Sequence, residues 1–203
     1  DAHPEISGRG EACVHHFALG LVKTVQDQPA LLERRRQAVT DSNDFPDMKW
    51  SDVLTMIRTF ITLRLEAIAD PAKPGLRFLG EKDPEHAVHL PNLDRLFPEA
   101  RFLHIIRDGR GVFISAWHHN VRARDENLAR LGFDDFLDIT AKEWAERVQA
   151  ARRAGSALGN RYFEVRYEDL VADPALWMKR VLDFLGADSA PETVRACVEA
   201  ASF

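Results

Sequence analysis

Charged side chains follow three short apolar segments that have the character of β-strands. Glu81-Lys82-Asp83 ends the first segment, Arg107-Asp108 the second, and Arg166-Tyr167-Glu168 the third. In an open sheet of parallel strands, ligands bind beyond the carboxyl ends of the strands. Lys82 and Arg107, delivered to the same edge, would form a pocket for an anion, whereas the acidic residues could equally cap helices or mark turns.

A second pattern indicates how a single phosphate could be held. Arg107 and Ser115 lie eight residues apart, on either side of a turn that contains Gly109 and Gly111. An arginine at a strand end and a hydroxyl inside the next helix can contact one phosphate from two sides, helped by the N–H groups of the helix N-terminus. The glycines allow close approach of the backbone. An arginine and a serine eight residues apart occur often by chance. Within the strand, turn and helix of residues 102–115, the same spacing indicates a phosphate site far more specifically.

The elements that must position these residues alternate between strands and helices. Apolar segments predict strands at 77–82, 101–106 and 162–166. Amphipathic spacing predicts helices at 11–26, 29–39, 50–68, 86–96, 112–120, 136–158, 173–185 and 193–200, with a loop at 128–135. Strands and helices joined by short turns predict an α/β fold of three layers, in which helices flank a mainly parallel sheet.

Local signals support two of these assignments. Residues 101–106 form a continuous apolar run, typical of a parallel strand that is covered on both faces. Asp173 and Pro174 are typical residues for the start of a helix, and Gly186 is typical of a helix end. We therefore expect a helix between them.

The composition is that of an ordinary globular protein. The 203 residues, 45% hydrophobic and 29% charged, fit a single domain over residues 1–203. The net charge of −5 argues against non-specific binding to nucleic acid, but it does not exclude a local basic pocket. No run of 18 apolar residues predicts a membrane span. Cys13 and Cys197 have no CxxC spacing and are expected to be small, buried or half-buried side chains.

Several segments together resemble a known enzyme family. Residues 102–115 resemble the strand and helix that bind the 3′-phosphate in sulfotransferases dependent on 3′-phosphoadenosine-5′-phosphosulfate (PAPS). Further similarity, in the same chain order, occurs at residues 1–11, 80–84, 96–102, 161–171, 173–174 and 184–186. Within the family, the pattern is most similar to that of the tyrosylprotein sulfotransferases and their bacterial relatives.

This resemblance implies a P-loop-type sulfotransferase fold and transfer of a sulfuryl group from PAPS to a hydroxyl or amine acceptor. The product would be 3′-phosphoadenosine-5′-phosphate (PAP). Arg107 and Ser115 match the positions that contact the 3′-phosphate, and Tyr167 falls near a tyrosine of the nucleotide site. Glu11 matches the catalytic base and Lys82 the cation that stabilises the transferring group. Such a reaction needs a group that takes the acceptor's proton and a cation that neutralises developing charge, and it requires no metal.

The sequence also departs from the family's pattern. The Gly-rich loop that would hold the 5′-phosphosulfate and the C-terminal segment that closes over the nucleotide are not found in residues 1–203. We expect the chain to be incomplete at both ends, with the first strand and the phosphate loop upstream of Asp1. Ala12 and Cys13 stand where the similar enzymes have residues that recognise a peptide acceptor. The acceptor could therefore be a small molecule, a sugar, a lipid or a peptide. The acceptor cleft is predicted at 50–68 and 120–132.

Other interpretations stay open. The base could instead be a histidine, with candidates His15, His16, His86, His104, His118 and His119. The chain could be a degenerate nucleotide-binding module without activity. A small-molecule kinase would need a Walker-type loop and an acidic Mg²⁺ site, for which Asp83 or Asp108 could serve. The oligomeric state is open, and a cytoplasmic location is expected if the chain is bacterial.

Overall fold

A computed structural model of the protein describes residues 2–10, 20, 22–23, 34, 49–67, 69–123 and 132–201. For residues 9, 10 and 120–123 only the backbone is described. The chain divides into two compact units, one formed by residues 4–98 and the other by residues 1–3 and 99–203. The single domain expected over residues 1–203 stays a prediction.

The first unit contains a pair of parallel strands and two helices. Strand β1 (Ile6–Gly10) pairs with β2 (Phe78–Lys82), with Ile6 opposite Phe78 and Gly10 opposite Lys82. The helices are α1 (Trp50–Ala67) and α2 (His86–Leu96). Val53, Ile57 and Ile61, spaced four residues apart on α1, are buried in one cluster with Leu96 of α2. This spacing places them on one face of the helix, so their burial holds α1 in place.

The second unit is built around another parallel pair. Strand β3 (Phe102–Ile106) pairs with β4 (Tyr162–Arg166), with Phe102 opposite Tyr162 and Ile106 opposite Arg166. The helices of this unit are α3 (Gly109–Ala123), α4 (Phe133–Leu158), α5 (Tyr167–Ala172), α6 (Pro174–Leu185) and α7 (Pro191–Ala201). A 3₁₀ turn, Gly159–Arg161, joins α4 to β4.

The predicted α/β class is confirmed: small parallel sheets are flanked by helices. All three predicted strands form, and six of the predicted helices correspond to α1–α4, α6 and α7. The helices predicted at 11–26 and 29–39 lie almost entirely outside the described residues. The arrangement of the strands as one three-layer sheet, with a first strand upstream, stays a prediction.

Strand β1 was not predicted, because its sequence Ile-Ser-Gly-Arg-Gly has little of the apolar character of a strand. Contacts from elsewhere in the unit hold it in place. Ser7 is buried, and its hydroxyl accepts a hydrogen bond of 3.2 Å from the backbone N–H of Asp70. Lys73 donates to the carbonyl of Ile6 at 2.7 Å. The strand is therefore specified by tertiary contacts rather than by local propensity.

Two helices begin earlier than predicted, and one short helix was not predicted. Helix α3 begins at Gly109, three residues before the predicted start, and α4 begins at Phe133, within the predicted loop. Helix α5 was missed because six residues are too few to show a helical period. The start and end of α6 are confirmed. The Asp173 carboxylate accepts a hydrogen bond from the N–H of Leu176, and Gly186 takes a left-handed φ of 67°.

Two further expectations have different outcomes. Leu103 and Ile105 of β3 are 38% and 49% exposed, so one face of this strand is only partly covered, contrary to expectation. Their neighbours across the sheet, Phe163 and Val165, are better covered because β4 packs against α6, where Phe163 stacks on Phe184.

The predicted burial of Cys197 is confirmed, whereas Cys13 lies outside the described residues. None of the described helices combines the length and the apolar character that a membrane span requires.

Candidate functional site

The parallel register of β3 and β4 brings Arg107 and Tyr167 together. Arg107 directly follows Ile106, and Tyr167 directly follows Arg166, the residue opposite Ile106. The guanidinium carbon of Arg107 lies 5.0 Å from the centre of the Tyr167 ring, a distance typical of a cation–π contact. Arg107 is exposed. The planar guanidinium is thus supported on one side and accessible to an anion.

Ser115 lies on the side of α3 that Arg107 approaches. At Gly111, a Cβ atom would lie 3.1 Å from Nε of Arg107, so the absence of a side chain leaves room for the guanidinium. Ser115 follows Gly111 by four residues on the same helix, which places both on one helix face. The predicted pair Arg107 and Ser115 is therefore disposed on one side of the N-terminal half of α3.

A cavity of about 530 Å³ adjoins Arg107 within the second unit. Its wall combines aromatic and charged side chains from the end of β3 and the turn after it, from α3 and α4, from the end of β4 and from α5. They are Ile106, Arg107, Asp108, Gly109, Arg110, Phe113, Ala141, Trp144, Ala145, Arg152, Arg166 and Glu168. Aromatic rings beside several guanidinium groups suit a ligand that carries both a ring and anionic groups.

The two acidic residues of this wall accept hydrogen bonds from an arginine side chain or from a backbone N–H group. Arg110 donates two hydrogen bonds to Asp108, at 3.0 and 2.6 Å. Mainly because of these bonds, the pKa of Asp108 is lowered to about 2. The Glu168 carboxylate accepts a hydrogen bond of 2.7 Å from the backbone N–H of Asp108, which lowers the pKa of Glu168. Both carboxylates thus fix the turn after β3, a structural role for Asp108.

A network of four polar side chains lies across β3, β4 and α4. Nδ1 of His104 contacts the Tyr162 hydroxyl at 2.5 Å, and that hydroxyl lies 3.4 Å from Oε2 of Glu164. Arg152 binds Glu164 through two hydrogen bonds of 2.9 and 2.7 Å, and these bonds lower the pKa of Glu164. Burial lowers the pKa of His104. Burial, with the nearby Glu164 carboxylate, raises the pKa of Tyr162 to about 12.

Of the predicted catalytic residues, Lys82 lies in the first unit. Lys82 is the last residue of β2, where it pairs with Gly10, the last residue of β1. Glu11 follows Gly10 in the chain and lies outside the described residues, as do His15 and His16.

Residues 1–191 match a family model described as "Sulfotransferase family". The chain belongs to the sulfotransferase family. The family implies PAPS as the co-substrate of its members, and the resemblance noted in the sequence is confirmed.

Named relatives support the assignment at modest identity. The chain is 31% identical over 107 residues to the omega-hydroxy-beta-dihydromenaquinone-9 sulfotransferase of Mycobacterium bovis, which covers 52% of this chain and 28% of the relative. It is 30% identical over 121 residues to protein-tyrosine sulfotransferase 1 of Danio rerio, covering 60% and 32%. With carbohydrate sulfotransferase 2 of Mus musculus, the identity is 33% over 91 residues, covering 42% and 17%. The matched stretches thus span a third or less of each relative's length.

The remaining histidine candidates for the base have different surroundings. His104 contacts Tyr162 within the polar network. His118 and His119 are exposed on α3. Nε2 of His86 lies 3.4 Å from Oε2 of Glu81.

Two groups of residues were missed by reasoning from the sequence. Arg152 and Trp144 reach the cavity from α4, far along the chain from the strand ends, and no sequence motif marks them. Glu81, Asp83 and His86 bring potential metal-ligating atoms within 4.8 Å of one another. The spacing Glu-x-Asp-x-x-His across the end of a strand was the available signal for this second group.

Proposed function

We propose that the protein transfers a sulfuryl group from PAPS to a hydroxyl or amine acceptor, and that Arg107 and Ser115 hold the 3′-phosphate of the nucleotide. The observation that carries this proposal is the position of Arg107. It lies at the carboxyl end of a parallel strand, against Tyr167 and above the glycine turn of α3, with Ser115 on the same helix face. Membership of the sulfotransferase family supplies the donor.

In the proposed reaction, the acceptor atom attacks the sulfur of PAPS and the bond between that sulfur and the phosphate oxygen breaks, so that PAP leaves. Glu11 takes the proton of the acceptor, and Lys82 neutralises negative charge on the transferring group. Support for this pairing comes from the register of the first unit, because the residue before Glu11, Gly10, is opposite Lys82. Tyr167 contributes by supporting the Arg107 guanidinium from below its plane.

The acceptor carries a hydroxyl or an amine, and its wider class is open. The relatives' names include a menaquinone derivative, protein tyrosine and carbohydrate, so acceptors differ strongly between members of this family. The kinase interpretation is disfavoured because Asp108, one of its two candidate Mg²⁺ ligands, is bound by Arg110 through both carboxylate oxygens.

The decisive experiment is calorimetric titration with PAP, with ATP as the control ligand. Arg107→Ala removes a charge-assisted hydrogen bond worth about 1.5–3 kcal/mol, so its affinity for PAP should fall by about 10- to 150-fold. Arg110→Ala is the matched control, because Arg110 is bound to Asp108 and should not contact the 3′-phosphate. Equal affinity of Arg107→Ala and the unsubstituted protein would contradict the assignment of the 3′-phosphate site.

A turnover measurement separates an enzyme from a binding module. Glu11→Gln should bind PAP almost normally while turnover falls by on the order of 10²- to 10⁴-fold. Unchanged turnover would move the role of base to a histidine. Binding of PAP without sulfuryl transfer by the unsubstituted protein would instead favour a degenerate nucleotide-binding module.

A further inference from the structure

A cluster of potential metal ligands lies where β2 ends and α2 begins. Glu81 is in β2, Asp83 lies in the connecting turn, and His86 is the first residue of α2. One ligand atom from each residue lies within 4.8 Å of the other two. The backbone N–H of His86 donates to the carbonyl of Asp83 at 3.2 Å, and the Asp83 side chain accepts a hydrogen bond of 2.9 Å from the N–H of Glu85. These two hydrogen bonds hold the turn.

The Glu81 carboxylate is buried, and one of its oxygens is unsatisfied. Its side chain is only 7% exposed, yet Oε1 has no hydrogen-bond partner among the described residues. A buried carboxylate oxygen that is left unsatisfied costs free energy, because water no longer solvates the negative charge. Buried carboxylates are normally paired with a cation or coordinate a metal. A cation bound in this cluster would remove that cost.

The contact between His86 and Glu81 suits a shared metal better than a direct ionic hydrogen bond. Nε2 of His86 lies 3.4 Å from Oε2 of Glu81. A charge-assisted N–H···O bond is about 2.7–2.9 Å long, so this separation is too wide for a strong one. Two ligands bound at about 2.1 Å to a tetrahedral ion are about 3.4 Å apart. The observed separation therefore matches the edge of a tetrahedral zinc site.

The ligand types select among metals. Mg²⁺ and Ca²⁺ prefer oxygen ligands only, whereas an imidazole nitrogen with two carboxylates is a donor set that binds Zn²⁺. Successive side chains of a strand point to opposite faces of the sheet. Lys82 therefore projects away from the face of Glu81, and its positive charge does not oppose a cation on that face.

From these observations we infer that Glu81, Asp83 and His86 form a binding site for a divalent transition metal, with Zn²⁺ as the best match. A fourth position would be open to water or to another ligand, since the cluster supplies three protein atoms. The ion stabilises the junction of β2 and α2. It takes no part in the proposed sulfuryl transfer, and the inference does not rest on that function.

The test is calorimetric titration of metal-stripped protein with ZnCl₂, without donor or acceptor. We expect one equivalent of Zn²⁺ to bind, and an equal concentration of MgCl₂ not to compete. Glu81→Gln keeps the volume of the side chain, and it and His86→Asn should each weaken binding by at least about tenfold, since even residues behind metal ligands cost 10- to 100-fold. His89→Asn, one turn further along α2, is the matched control and should bind Zn²⁺ normally.

A spectroscopic measurement keeps the inference testable if a variant folds poorly. Co²⁺ in a tetrahedral site of nitrogen and oxygen ligands gives visible absorption, which should appear in the unsubstituted protein and in His89→Asn. Circular dichroism of each variant verifies that it is folded. The inference is overturned if the unsubstituted protein binds no Zn²⁺ in a saturable manner, or if folded Glu81→Gln and His86→Asn bind it as tightly as the unsubstituted protein does.

Discussion

At the scale of single residues, Gly111 connects the backbone of α3 to the proposed ligand-binding role of Arg107. An added Cβ would approach Nε of Arg107 to 3.1 Å, closer than a relaxed contact, so the guanidinium would have to move. We expect Gly111→Ala to lower the affinity for PAP by up to about tenfold, near the lower end of the value of a charge-assisted hydrogen bond. Calorimetric titration measures this change.

The same substitution should not lower stability, because alanine favours a helix over glycine by about 1 kcal/mol. Thermal unfolding without ligand provides that control. Loss of both stability and affinity would indicate a disrupted helix, and unchanged affinity would show that Arg107 does not need its present position.

The partly buried imidazole of His104 leads to a prediction about pH. Its pKa in the folded protein lies below the ordinary value of 6.5, chiefly because burial disfavours the charged form. The unfolded chain therefore binds more protons between the folded pKa and 6.5, so stability rises with pH through this window and is lost as the pH falls through it. Glu164 titrates lower, since its pKa is depressed below the ordinary 4.5 by Arg152.

We expect the melting temperature to fall between about pH 7 and pH 5, and to fall less in His104→Asn, which cannot be protonated. His118→Asn removes an exposed histidine from α3 and is the matched control. Thermal unfolding at a series of pH values measures the slopes. Equal slopes for His104→Asn and the unsubstituted protein would exclude His104 as their source.

At the scale of elements, α4 packs on β4 through a position that has no side chain. At Gly155 an added Cβ would lie 2.6 Å from the Tyr162 ring, well inside contact distance. Gly155→Ala should therefore destabilise the fold by about 1–3 kcal/mol, although alanine is the better helix former. Chemical denaturation measures the free energy of unfolding.

Gly75→Ala is the matched control, because an added Cβ there meets nothing within 4 Å. It should change the free energy of unfolding little. If Gly155→Ala were instead stabilising, as expected for an exposed helical glycine, the close packing of α4 on Tyr162 would be wrong.

At the scale of the whole molecule, the net charge of −5 opposes the binding of a polyanion such as PAP. The proposed nucleotide site must therefore depend on local cations, and the cavity wall gathers Arg107, Arg152 and Arg166. We expect PAP to slow hydrogen exchange mainly at residues 107–112, which follow β3, and at residues 166–169, where β4 ends and α5 begins. The buried face of α1 is the internal reference, because it supplies no proposed contact.

Exchange followed by mass spectrometry would measure this pattern with PAP and with ATP. Protection at residues 107–112 with PAP alone would support the assigned 3′-phosphate site. Protection that is absent there but present elsewhere would move the nucleotide site to another part of the chain.

The sequence by itself determined the class of the fold and the family. The apolar segments gave β2, β3 and β4, and the signals at Asp173 and Gly186 fixed both ends of α6, because local backbone preferences decide such features. The cations at the strand ends were visible as well, since a parallel strand delivers its following residue to a known edge. The assigned roles of Glu11 and Lys82 stay predictions.

Only the tertiary structure decided which distant residues meet. Strand β1 forms because Ser7 and Ile6 contact Asp70 and Lys73, more than 60 residues away. In the same way, the packing of α4 brings Arg152 to Glu164 of β4. These contacts depend on the register of strands and on how helices pack, and both are set by the summed burial of many side chains. No short stretch of sequence contains that information.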